Sequence, residues 1–260
     1  YLLGQGHIVL EIIIALAAAI FLGNTLAHRI RVTPAILLIF LGLALALLPA
    51  MHELREVGLP SYVILEIFLP IMLFWEARNT SLREVRKSLR AIITSGTVLV
   101  IVTAFAMAGV LTHFFHIDWG TALIIGAALA PTDATAVATL NGKLPKRSIT
   151  VLKAESLIND GTTLVVFALA IQVAGGTDLS VSHAGGMLAF SFLCGIAVGL
   201  AVGWVANRLR AHIANPMNFV IYMMTIPFVA FLLSESIEIS EGMKGSGVVA
   251  VVVSAFYLTY

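Results

Sequence analysis

The chain has 260 residues, 60% hydrophobic and 11% charged, with a formal net charge of +1 and a mean hydropathy of +1.02. Globular domains are about half apolar and a quarter charged, so this composition excludes a water-soluble domain and indicates a polytopic, all-α membrane protein. No basic run interleaved with aromatics points to nucleic acid, and one cysteine, Cys194, allows no disulfide or CxxC metal site within the chain.

Apolar stretches suited to a hydrocarbon core of about 30 Å lie at nine places, roughly residues 8–27, 34–49, 61–75, 91–112, 119–140, 149–173, 185–206, 217–233 and 246–260. The first lacks a positive leader and a small-residue cleavage site, and so reads as a retained span. Because the chain opens at Tyr1 and stops inside an apolar run at Tyr260, residues 1–260 are expected to be a single transmembrane domain truncated at its carboxy terminus.

Basic residues orient these spans. The odd-numbered connections hold Arg29 and Arg31; Arg78, Arg83, Arg86, Lys87 and Arg90; Lys143, Lys146 and Arg147; Arg208 and Arg210. The even-numbered ones hold only Arg55 and Lys244, and Lys153 opens span six beside the basic side. The positive-inside rule then puts the amino terminus outside. Between spans three and four, "RNTSLREVRKSLR" sets Leu82, Val85 and Leu89 at helical spacing; an interfacial amphipathic helix and a solvated basic loop both fit.

Charge at mid-bilayer costs at least about 2.5 to 3.5 kcal/mol per residue, so depth decides which acids need a reason. Span five carries Thr132 and Asp133 near its midpoint, in "ALAPTDATAV", and span six carries Asp160 near its own, in "KAESLINDGTTLVVF". Pro131 removes a donor and clashes with the preceding turn, which predicts a broken helix in span five. Freed carbonyls at that depth are tolerated only inside protein or along a cavity. On span six, Ser156 and Asp160 are four apart, as are Glu155 and Asn159, so each pair shares a face. Such a stripe of hard oxygens suits a small hard cation. A carboxylate there holds either the cation or a proton, and that competition is the chemistry of a cation/proton exchanger. The structural alternative, polar groups that only join helices, is outweighed by two acids at one depth beside a helix-breaking proline. Glu11 and Glu66 lie near outer span ends, where snorkelling accounts for them.

"PTDATAV", "ESLINDGTTLVVF", "LPIMLFWEARNTSL" and "SGVVAVVVSAFYL" together resemble the bacterial NhaP-type sodium/proton antiporters of the monovalent cation:proton antiporter-one family. The resemblance implies about thirteen helices in two inverted repeats, with the first repeat at about 1–174, a linker span at about 185–206 and the start of the second repeat at about 217–260. It implies alternating access, no cofactor, contact with membrane lipid, a homodimer in the complete protein, and the cell inner membrane. Asp160 would alternately bind sodium and a proton. Asp133, the Thr132 carbonyl and Ser156 would complete the site, Glu155 would act through water, and Glu76 would close the site, with snorkelling still open for Glu76. Asn159 stands where electrogenic relatives carry a second Asp, which implies electroneutral exchange. Lithium and potassium stay open beside sodium. An intramembrane aspartyl protease also needs paired acids, but its Gly-x-Gly-Asp signature is missing, and no HExxH supports a zinc protease. A passive channel needs no titratable acid at mid-span. The expectation is a transporter and not an enzyme.

Overall fold

Backbone polar groups in hydrocarbon must be satisfied within their own segment or a closed barrel, and long apolar runs meet that condition as helices. The computed structural model describes residues 2–30, 34–47, 64–132, 145–176, 181–239 and 243–259. These residues form α1 (Leu2–Ile30), α2 (Pro34–Leu47), α3 (Leu69–Arg78), α4 (Leu82–Lys87), α5 (Leu89–Thr94), α6 (Val100–Phe115), α7 (Trp119–Leu129), α8 (Lys146–Ala174), α9 (Val181–Arg210), α10 (Pro216–Glu235) and α11 (Gly247–Leu258). Widened π-type turns, Ile64–Phe68 and Ser95–Leu99, lead into α3 and join α5 to α6. The extended structure among the described residues is one isolated bridge between Glu238 and Lys244.

Among the described residues, four stretches are by themselves long and apolar enough to cross a membrane: Leu89–Phe115, Arg147–Ala174, Ala184–Arg210 and Pro216–Glu235. Helix α7 has only 11 residues, about 16 Å of rise and half of a hydrocarbon core. It ends at Leu129, and Ala130, Pro131 and Thr132 are not helical; Pro131 has no amide hydrogen to donate there. The rest of predicted span five lies outside the described residues.

Local chemistry sets the other ends. Asp118 caps α7 by accepting from the Gly120 and Thr121 amides at 3.0 and 3.4 Å, and Asn215 caps α10 by accepting from the Met217 amide at 2.9 Å. Each satisfies donors that a first helical turn leaves unpaired. At the far end of α8, Gly175 and Gly176 turn the chain, and Gly176 takes φ +86°, a conformation that side chains disfavour.

The chain divides into two compact units, Tyr1–Pro60 and Ser61–Tyr260. Within the first, α1 pairs with α2, and a Cβ on Gly23 would lie 2.6 Å from Leu38 Cδ2. Within the second, α9 packs along α11 on a stripe of Gly195, Gly199 and Gly203. Cβ atoms there would meet the Ser246 carbonyl, the Ala250 carbonyl and the Tyr257 side chain at 2.6–2.8 Å, the small-residue approach by which apolar helices associate in lipid.

Helix α8 is central to this unit. Of its most apolar 18-residue window 44% is buried, against 17–28% for the other three spanning stretches. Leu157 joins one core with Leu73, Phe74 and Ala77 of α3 and Val248 and Val251 of α11. Val166 joins another with Val100 and Ala104 of α6 and Ala127 of α7. Short helix α4 buries Val85 in a cluster with Ile92 and Ala154, so this apolar position of the basic segment faces protein. Many large side chains elsewhere stay exposed, among them Val102, Phe114 and Phe115 on α6, as in a surface that meets acyl chains.

Candidate functional site

The site is built on the middle of α8. Asp160 is the central residue of this 29-residue helix, and it is half-buried. Asn159 beside it is only 2% exposed. With its amide oriented to satisfy both ends, Asn159 Nδ2 donates to the Gly96 and Glu155 carbonyls at 3.2 Å each, and its Oδ1 accepts from Thr132 Oγ1 at 2.8 Å. One side chain thus joins the non-helical residues after α7 to the π-type turn between α5 and α6.

Gly96 is required at that turn. A Cβ there would lie 2.7 Å from Ile158 Cγ2 and 3.2 Å from the nearer end of the Asn159 amide, so only glycine lets its carbonyl approach the amide. Single π turns inside helices recur at functional sites. The small polar run Thr94-Ser95-Gly96-Thr97 marks this turn in the sequence, although hydropathy alone reads it as ordinary span.

At about 100° per residue around α8, Asn159 faces α7 and the π turn, while Leu157 faces α3 and α11. Ser156, Asp160 and Thr163 fall in the sector between these directions. Ser156 is buried at 7% exposure. Thr163 Oγ1 is buried and has no hydrogen-bond partner among the described residues, although buried hydroxyls nearly always find one. Thr163 was not among the predicted site residues, and its sequence signal is the Thr-Thr pair directly after Asp160-Gly161.

The other expected residues fall as follows. Thr132 is at the site, engaged there through its hydroxyl. Glu155, half-buried, contributes its carbonyl to Asn159. Glu76 lies in the last turn of α3, beside Ala77 of the core that also holds Leu157. Its carbonyl accepts from Thr80 Oγ1 at 2.7 Å. Asp133 lies outside the described residues. Gly161 seats α8 against α11: a Cβ there would lie 3.1 Å from Val249 Cγ2 and 3.7 Å from Ser246 Oγ. Among the described residues, the oxygens gathered around mid-helix are the Asp160 carboxylate, hydroxyls, an amide and backbone carbonyls, hard donors that suit a hard cation better than a soft transition metal.

Fold and site together define a helical membrane protein with a polar seam at the midpoint of its central helix. The chain matches the family model described as "Sodium/hydrogen exchanger, transmembrane" over residues 12–259, and it belongs to that family, one of secondary transporters and not of enzymes. It is 44% identical over 252 residues to an uncharacterized Na(+)/H(+) exchanger of Mycobacterium tuberculosis, covering 96% of this chain and 45% of that protein. It is 30% identical over 263 residues to the low-affinity Na(+)/H(+) antiporter NhaS1 of Synechocystis, covering 99% of this chain and 47% of that one. The chain thus spans about half the length of these relatives. Among solved structures, the sodium proton antiporter MjNhaP1 of Methanocaldococcus jannaschii aligns with a TM-score of 0.68 at 17% identity, over 96% of this chain and 62% of that one. That likeness places the chain in the antiporter fold.

Proposed function

We propose that this chain carries the ion site of a sodium/proton antiporter, in which Asp160 alternately holds sodium and a proton. The observation that supports the reading best is the place of Asp160, at the midpoint of the most buried spanning helix and next to an amide that holds a non-helical segment at the same level. A carboxylate at that depth is costly without a use. Ser156, one turn before it, and Thr132, Asp133 and Glu155 are read as supporting oxygens, and Glu76 as an acid at the closing end. Sodium is the cation the relatives' names favour; lithium and potassium accept the same ligands.

Asn159 is read as a positioning residue. Its hydrogen-bonding groups are engaged by Thr132, Gly96 and Glu155, so one acidic group fewer stands at the site than a second Asp would supply. That favours electroneutral exchange. Alternating access would move α7 and α8 with their ion against the α3, α9, α10 and α11 side. The same reading takes nine spans here of about thirteen, repeats bounded near 174 and 217, an amino terminus outside the cell inner membrane, and a homodimer in the complete protein.

The test is the variant Asp160→Asn in the full-length protein, reconstituted in vesicles with an internal pH dye. Sodium-driven proton movement should vanish while expression and helix content hold. Wild-type exchange by this variant would remove Asp160 from the role.

A further inference from the structure

A second feature lies away from the ion site. Between α9 and α10 runs an open groove of about 390 Å³, bounded by Ala201 and Leu209 on one helix and by Tyr222 and Leu233 on the other. Its length along α10, from Tyr222 to Leu233, is about 16 Å, half of a hydrocarbon core and so the depth of one leaflet. Two hydroxyls in its wall are turned inward: Tyr222 donates to the Ala206 carbonyl, and Thr225 Oγ1 donates to the Ile221 carbonyl at 2.9 Å. The groove consequently offers hydrocarbon to whatever fills it.

One end of the groove is positively charged. Arg210 sits 5.8 Å over the Phe219 ring, and Arg78 donates to Met223 Sδ at 3.6 Å, a weak acceptor for a guanidinium. Among the described residues neither forms an ion pair. Phe219 and Met223 stand one turn apart on α10, so the two cations that touch them lie at the same end of that helix, and burial, then Arg210, lower the Arg78 pKa. An anion between them would offset both charges and accept charge-assisted hydrogen bonds from both. Anionic groups at the foot of a leaflet-deep apolar groove are phospholipid headgroups.

We propose that this groove seats one acyl chain of an anionic phospholipid, with the headgroup phosphate against Arg78 and Arg210. A second protein copy would fill the groove with side chains but leaves the paired guanidinium groups uncompensated, whereas a lipid supplies both parts. The site stands apart from α8 and does not depend on the ion-exchange reading.

The test uses the chain in a neutral detergent with phosphatidylglycerol bearing a photoactivatable group midway along one acyl chain. Adducts should map to residues 201–209 and 222–233, and Ala201→Phe, which fills the groove, should abolish them. Unlabelled phosphatidylglycerol should compete, while phosphatidylcholine and inorganic phosphate should not. At about 1 kcal/mol per basic residue near an anionic surface, the double variant Arg78→Gln, Arg210→Gln should bind roughly thirtyfold more weakly. Adducts outside the groove, equal competition by phosphatidylcholine, or unchanged affinity of the double variant would overturn the proposal. So would cross-links between copies through Val205 and Val229 that persist at saturating phosphatidylglycerol. If the double variant does not fold, adduct position and headgroup competition on the unaltered chain still decide.

Discussion

Asn159 Oδ1 accepts from Thr132 Oγ1 at 2.8 Å while its Nδ2 reaches the Gly96 carbonyl at 3.2 Å, so a single buried amide links three segments of the chain at the level of Asp160. Asn159→Ala leaves Thr132 and the Gly96 carbonyl without this partner, and burying unsatisfied polar groups costs about 1–3 kcal/mol each. A lower thermal midpoint in detergent is expected, with Asn159→Gln recovering little, because one more methylene displaces all three contacts. An unchanged midpoint for the alanine variant would remove the amide from this linking role.

Competition for one carboxylate has a defined pH signature. If sodium and a proton share Asp160, the half-saturating sodium concentration should rise as pH falls, approaching tenfold per pH unit well below the site's titration. Stopped-flow or dye-based exchange at several pH values measures it. A flat profile across the active range would mean separate sites.

Thr163 separates a structural from an ion-handling hydroxyl. Its buried Oγ1 has no hydrogen-bond partner among the described residues, so Thr163→Val should not lower stability and is expected to raise it by up to about 1 kcal/mol. If the hydroxyl faces the ion beside Asp160, the same variant weakens apparent sodium affinity. Thermal unfolding and sodium titration on one preparation separate these effects, and a destabilised variant with unchanged affinity would assign Thr163 to packing.

The α9–α11 contact is predicted to tolerate no side chain at its centre. A Cβ on Gly199 would lie 2.6 Å from the Ala250 carbonyl and 2.8 Å from Val253 Cβ, both on a rigid helix. Gly199→Ala should destabilise by about 1–3 kcal/mol through overpacking, whereas Gly185→Ala, where nothing lies within 4 Å, should be neutral or slightly stabilising as helix propensity improves. Paired unfolding curves check the contrast.

Much of this was legible in sequence because it is a property of segments. Composition decides the solvent, and a long apolar run in that solvent has to be a helix, so α8, α9 and α10 follow from residue order alone. Asp160 stands out for the same reason: one charged residue in the middle of such a run needs an explanation whatever surrounds it. The end of α7 at Leu129 comes just before Pro131, whose missing donor is a local property.

Other features depend on segments far apart in the chain. The link from Asn159 to Thr132 and Gly96 joins residues 27 and 63 positions away from it, and hydropathy treats Gly96 as one more small residue in a span. That Val85 is buried in a cluster with Ala154, among the charges of the basic segment, depends on where α4 docks against α8. Thr163 looks like any helix threonine until its described neighbours are seen to give its buried hydroxyl no partner. The groove between α9 and α10 is formed by residues of both helices, and Arg78 and Arg210 come to its end only because both pack against α10, at Met223 and Phe219. Residue order sets what each helix must bury, but a polar contact between helices is decided by distance and angle, which only packing supplies.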